Sequence, residues 1–326
     1  MEGGVNLVNP SSSPVSGKLD FISETGSVVY SKQEVIPALG RTAILTTEVI
    51  PQGQRWGYWR FSGDGGVAAL LSLNRMELGT PSWMAMAIPV DTATQVTTTQ
   101  VHEQNESPTI LYAPQYASGG GYTSVLDIVN LEDASTSLSL ELIGDDGAAI
   151  GSTGSVTLPP RGSTQISSPS IFGITAGTEL IQGYVKVQSV SGRFAGWVWF
   201  SDPAAENFGS ALRFVETGLT TTLFSQVAQD DLYYTGLAAL NPNSQAATVT
   251  VTVYNTNGSV VASGSTDIPA GGRISKLLFQ LVGTFPDMTK GYFKVASTLP
   301  VVSFAMFGTN TFEVLAAVPP QVASGK

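Results

Sequence analysis

The sequence predicts an all-β chain of three tandem antiparallel two-sheet β-sandwiches, the first lacking its opening strand. Two local observations point there. Apolar residues alternate with period two, and turn signals recur about every eight to twelve residues, with no segment holding a helical period between caps. The third observation is internal repetition. A strand-ending Asn (Asn9, Asn130, Asn241) and a hairpin glycine (Gly26, Gly147, Gly258) both recur after 121 and then 111 residues. Each copy adds an apolar-Pro turn, Ile36–Arg41, Leu158–Ser163 or Ile268–Arg273. Each also has a Gly-Tyr strand ending in a base: Gly57-Tyr58-Trp59-Arg60, Gly183-Tyr184-Val185-Lys186 and Gly291-Tyr292-Phe293-Lys294.

In copy one, Leu19 and Phe21 are expected inward and Lys18 and Asp20 outward. In copy two, Leu138, Leu140 and Leu142 face in, and Gly144-Asp145-Asp146-Gly147 makes the turn. In copy three, Val249, Val251 and Val253 alternate with threonines before Asn255-Thr256-Asn257-Gly258. After each Gly-Tyr strand a second hairpin is expected, through Ser62–Gly65, Ser191-Gly192 or Leu299-Pro300. It leads into an apolar run, Val67–Leu73, Phe194–Phe200 or Val301–Phe307, suited to a central strand. These marks divide the chain into sandwiches at 1–90, 110–217 and 218–318, a linker or arm at 91–109 and a C-terminal segment at 319–326.

The Gly119-Gly120-Gly121-Tyr122-Thr123 opening, the strand end Asn241-Pro242, the turn Ile268–Gly272 and the Gly-Tyr-x-Lys strand carry a resemblance. With them the chain resembles the Ig-like or fibronectin-III-like β-sandwich repeats of secreted bacterial surface proteins. That resemblance implies a place outside the cell or on its surface and implies no reaction. The Cys-Trp-Cys core of antibody domains is absent, so the likeness is one of architecture.

Composition narrows the function. Charged residues are only 12% of the chain and the net charge is −10, which argues against nucleic acid and against anionic membrane as partners. No apolar run is long enough for a membrane span. Met1-Glu2-Gly3-Gly4 has neither the basic start nor the apolar stretch of a signal peptide. Zero cysteines exclude disulfides and thiolate chemistry.

Candidate chemistry is sparse, and no enzyme, cofactor or catalytic residue is expected. The one histidine, His102, lies in the polar linker, where a general base would lack a rigid setting. Asp145, Asp146, Asp230 and Asp231 are weak calcium candidates, because Asp is also a favoured turn residue and no known loop spacing is present. Trp197 and Trp199 share one sheet face, in the core or at a domain interface. A Lys-to-Asn crosslink from the Gly-Tyr strand is not expected as a shared feature, since copy one has Arg60 there. Asn105 and Asn257 match the glycosylation acceptor pattern in exposed loops.

The phase of the repeat supplies the functional expectation. Copies two and three open with Gln115-Tyr116-Ala117-Ser118-Gly119 and Gln226-Val227-Ala228-Gln229, copy one has no such opening, and Gln321-Val322-Ala323-Ser324-Gly325 reproduces it at the far end. The expected reading is a structural subunit of an extracellular filament or array. Gln321, Val322, Ala323, Ser324 and Gly325 of one copy would act as a donor strand beside Gly3, Val5 and Leu7 of the next, giving a homopolymer. The alternatives are a segment of a longer surface protein and a glycan-binding adhesin module, with other surface proteins or glycans as partners.

Overall fold

A computed structural model describes residues 2–45, 49–50, 57–77, 80–89, 108–202, 209–311 and 313–322. The linker up to residue 107, with His102 and Asn105, and Ala323, Ser324 and Gly325 lie outside the described residues. The fold is nearly all β, about 60% strand and 4% helix, and its strands pair antiparallel.

Along the chain the sheets come in three successive groups. The first contains β1 (Glu2–Val8), β2 (Val15–Ser23), β3 (Val28–Ile36), β4 (Arg41–Leu45), β5 (Gly57–Gly63), β6 (Ala68–Glu77) and β7 (Thr80–Pro89). They form two sheets, ordered β4-β1-β6-β7 and β3-β2-β5. Val5, Leu7 and Ile44 from one sheet meet Leu19 and Ile36 from the other.

The middle group contains β8 (Ile110–Ser118), β9 (Thr123–Asn130), β10 (Thr136–Ile143), β11 (Gly154–Leu158), β12 (Ser163–Ile166), β13 (Ile181–Ser189), β14 (Phe194–Ser201) and β15 (Gly209–Arg213). Its sheets, β11-β10-β13-β8 and β12-β9-β14-β15, enclose a core that includes Leu126, Ile128, Leu140, Val185, Val198 and Phe200. A single 3-10 turn, Pro169–Phe172, is capped by the Ser168 hydroxyl and plugs the core with Phe172.

The last group contains β16 (Leu219–Phe224), β17 (Tyr233–Leu240), β18 (Ala247–Tyr254), β19 (Val260–Ile268), β20 (Arg273–Leu277), β21 (Tyr292–Thr309), β22 (Leu315–Val318) and β23 (Gln321–Val322). Val249, Val251 and Val253 of β18 are all buried, as their alternation with threonine requires.

Two expectations from the pattern are corrected. Leu299-Pro300 makes no hairpin. It lies inside the 18-residue strand β21, whose first half pairs with β18 and β16 and whose second half pairs with β17 and β22. Proline has no N–H to donate, and the strand passes from one sheet to the other around it. Asp20 does not face solvent either. It is buried against Arg60 at 2.9 Å and Lys18 at 3.1 Å, a cover that residue alternation does not reveal. Burial pushes the Asp20 carboxyl up, but bonds from Arg60, Ser31 and Lys18 outweigh it and hold the pKa below the usual carboxylate value.

One difference between the groups bears on function. In the middle group β13 has β8 along its outer side, and in the last group β21 has β16 there. Among the described residues β5, the corresponding Gly-Tyr strand of the first group, pairs with β2 alone.

Candidate functional site

The repeated residues converge on the joints between successive groups. Each begins with the buried Asn. Asn9 Nδ2 donates to the carbonyls of Ser13, Ile36 and Pro37 at 2.8 to 3.1 Å, and Asn241 Nδ2 donates to those of Gln245, Ile268 and Pro269 at 2.7 to 3.1 Å. Asn130 likewise reaches Ala134 and Pro159, both at 2.8 Å. The Asn side chain thus staples the apolar-Pro turn some 27 residues further on, adding bonds to carbonyls at the strand end and turn. Held this way, the turn places its fourth residue in the left-handed region: φ is 56° at Leu39, 53° at Arg161 and 68° at Gly271.

That turn receives the preceding group. Tyr58 Oη donates to the Arg161 carbonyl at 3.0 Å, and Ser163 N–H donates to the Glu24 carbonyl at 2.9 Å. At the next joint Tyr184 Oη donates to the Gly271 carbonyl at 2.8 Å, and Arg273 N–H donates to the Asp145 carbonyl at 2.9 Å. Both joints therefore use the same two bonds at the same repeat positions. The hairpin glycines fit the same contact: Gly26 lies against Pro160, and a Cβ at Gly147 would come within 2.9 Å of the Ala270 carbonyl. Both have φ of 85°, so only glycine combines that backbone with so close an approach.

The second joint is the more elaborate. The Arg273 guanidinium is fully enclosed, 2.8 Å from Asp145 Oδ1 and 2.6 Å from Gln115 Oε1. Burial pulls its pKa down while the Asp145 charge pushes it back up. Beside it Ile143 and Tyr184 pack on Leu240 and Val302. Burial pushes the Tyr184 phenol up to about 12 and raises that of Tyr58, so both hydroxyls stay protonated donors. Chemically, this arrangement holds one sandwich-like body against the next.

The other candidates fall as follows. Asp145 spends its carboxylate on Arg273 and on Gln182 at 3.2 Å; Asp146 accepts from Ala148 N–H, and Asp230 accepts from the N–H groups of Leu232 and Tyr233. The Asp231 carbonyl accepts from Asn310. Among the described residues no three His, Cys, Asp or Glu side chains come together as metal ligands. Trp197 and Trp199 flank the buried Val198 and lie half-buried on the outer face of their sheet. Lys186 Nζ lies 3.5 Å from Glu141 and meets no Asn. Asn257 stands exposed at its hairpin tip.

For the expected donor-strand contacts, Gln321 and Val322 pair with Leu223 and Thr222 of the same chain. Gly3, Val5 and Leu7 lie on β1, which has β6 along one side and, over Gly4–Val8, β4 along the other, so a strand cannot be added beside Val5 and Leu7. Among the described residues β5 is an edge strand, paired with β2 alone. The Asn-turn-Tyr linkage itself was missed in sequence, where these residues read only as punctuation. Its signal was there: marks conserved together in three copies of one chain meet in space.

No helix among the described residues is long and apolar enough to cross a membrane. No curated protein matches the chain. Among solved structures, the chain is 19% identical to the Anabaena sensory rhodopsin transducer, covering 26% of this chain and 80% of that one at a TM-score of 0.24. It is 11% identical to dimeric latent PorU from Porphyromonas gingivalis, over 98% of this chain and 29% of that one, at a TM-score of 0.20. With Bacteroides uniformis beta-glucuronidase 2 it shares 10% identity over 64% of this chain and 25% of that one, at a TM-score of 0.14. A family model described as a family of unknown function, DUF5719, matches residues 111–274, half of the chain, spanning the middle group and the turn that closes the second joint. The chain belongs to the DUF5719 family.

Proposed function

We propose that the protein is a structural subunit of an extracellular surface filament or array, built of three tandem Ig-like β-sandwich domains that associate head to tail. The C-terminal segment of one copy adds to the first domain of the next. The observation that carries this reading is the outer edge of β5: β13 and β21 have an opening strand on that side, and β5 has none among the described residues. An unpaired edge is a template for strand addition. Of the segment that supplies the strand, the described residues Gln321 and Val322 pair with Leu223 and Thr222 of β16. A hydroxyl-rich composition with only 12% charged residues supports an exterior location.

Strand addition alone is too weak to hold a polymer. Four or five backbone hydrogen bonds at about 1 kcal/mol each do not exceed an association entropy of about 4 to 15 kcal/mol. Domain-to-domain contact must add to it.

Electron microscopy of the purified protein at neutral pH tests the proposal. Regular fibres with an axial repeat close to three domains are expected, and removal of residues 319–326 is expected to abolish them. Discrete rods at high protein concentration would overturn it.

A further inference from the structure

We infer that the two ends of the chain are the two halves of the internal joint, so that the hairpin face around Tyr292 of one copy docks on the turn face around Leu39 of a second copy. This rests on the head-to-tail reading and supplies the domain contact it needs.

The turn face of the first group is built like a docked one and stands uncovered. Residues 36–41 read Ile-Pro-Ala-Leu-Gly-Arg and residues 268–273 read Ile-Pro-Ala-Gly-Gly-Arg, five of six identical, and the buried Asn holds each turn by the same bonds. Relative exposure tells them apart. The residue before the Asn is 5% exposed at Val129 and 1% at Leu240, the latter packed on Ile143 and Tyr184 of the preceding group, but 40% at Val8. Leu39 is 76% exposed, whereas Arg161 and Gly271 are half-buried. Gly162 and Gly272 are buried and Gly40 is not. Two neighbouring aliphatic side chains are thus left in water at the position where the other copies are covered.

The hairpin face of the last group is the matching half. Gly258 has φ of 78° and its N–H donates to Asn255 at 3.0 Å, the geometry of Gly26 and Gly147, yet a Cβ built there meets nothing within 4 Å. Tyr292 stacks on Tyr254 with ring centroids 4.7 Å apart and planes 7° from parallel. No described residue hydrogen-bonds its hydroxyl, which corresponds to the donors of Tyr58 and Tyr184.

Applying the internal joint to the two ends names the contacts. Tyr292 Oη donates to the Leu39 carbonyl, Arg41 N–H donates to the Thr256 carbonyl, and Tyr254 and Tyr292 cover Val8 and Leu39. The Arg41 guanidinium reaches Gln226, which lies 111 residues after Gln115 as the repeat requires. Thr256 stands where Asp145 pairs with Arg273, so the contact between copies lacks that ion pair and is reversible. A net charge of −10 on each copy makes association stronger as salt is added. The contact is heterologous and therefore propagates.

Sedimentation velocity on the full chain, with four variants, tests this. Leu39→Asp blocks the turn face at a backbone conformation that Asp tolerates. Thr256→Arg, at an exposed hairpin residue, sets a like charge against Arg41. Wild type is expected to associate with concentration, and each of these two blocked variants alone to remain monomeric with an unchanged melting temperature. An equal mixture is expected to stop at dimers, because one variant keeps its hairpin face and the other its turn face. Tyr292→Phe should weaken association about fivefold to tenfold, the effect of one hydrogen bond. Association of either blocked variant as strong as wild type, or a mixture that yields no dimer, would overturn the joint. The fourth variant lacks residues 319–326. If it alone loses association, strand addition stands and the joint fails; if it associates while the two blocked variants do not, the joint stands and strand addition fails. A wild-type chain that stays monomeric at all concentrations and salt levels overturns both.

Discussion

Replacing Asn241 with alanine removes the staple of the last turn, and the structure sets the size of the effect. The side chain is fully buried. Its Nδ2 donates to three carbonyls at 2.7 to 3.1 Å, and its Oδ1 accepts from Asn243 N–H at 3.1 Å and from Asn243 Nδ2 at 2.7 Å. Counting the shared donors once, about four bonds are lost at about 1 kcal/mol each, while the Pro269 carbonyl keeps the Gly272 N–H. The expected loss is about 3 to 4 kcal/mol, large against the ~5 to 15 kcal/mol that holds a typical domain. The damage should also travel. The same turn carries the Gly271 carbonyl and the Arg273 N–H that bind the middle group, so the second joint should loosen with it. Urea unfolding followed by far-UV circular dichroism measures the first effect, and hydrogen exchange of the Arg273 amide measures the second. A loss below about 1 kcal/mol with Arg273 protection unchanged would refute the staple.

Gly26→Ala and Gly258→Ala share the left-handed backbone penalty of about 1 kcal/mol, but only the first meets the Pro160 carbonyl, so urea midpoints should fall clearly further for Gly26→Ala. Tyr184→Phe deletes the 2.8 Å bond to the Gly271 carbonyl and should cost about 1 kcal/mol, read as faster proteolysis between the middle and last groups. Asp127 is a test of pH dependence. Burial pushes its carboxyl up to about 6, against pulls from Gln165 and Trp197, so its ionisation penalises the folded state progressively as pH rises from about 4 through about 6. Asp127→Asn should therefore be more stable than wild type by about 2 to 3 kcal/mol at pH 7.5 and equal to it below pH 4, as compared by urea midpoints at the two pH values.

Much of this molecule is legible from local chemistry. The Val-Thr alternation of residues 248–253 determines which face of β18 is buried, because side chains of a strand alternate by geometry. Glycine at residues 26, 147 and 258 marks the hairpins, because each has positive φ. The three Asn-turn-Tyr sets announce repetition before any coordinate is known. Local chemistry fails where a partner is remote. Asp20 reads as a surface residue until Arg60, 40 positions away, is brought over it. Leu299-Pro300 reads as a hairpin, and only the pairing of both halves of β21 with different strands makes it continuous. Gly3, Val5 and Leu7 read as an edge awaiting a strand, and the return of β4 and β6 encloses Val5 and Leu7 between them. The joints are the clearest case. Tyr58 and Arg161 are 103 residues apart, and Tyr184 and Gly271 are 87 apart. Sequence by itself determined the alternating strand faces, the hairpin glycines and the repeated marks, since strand period and turn geometry act over a few residues. Which faces those units turn toward one another depended on the tertiary structure, because a hydroxyl and a carbonyl so far apart in the chain become neighbours only after both units have folded.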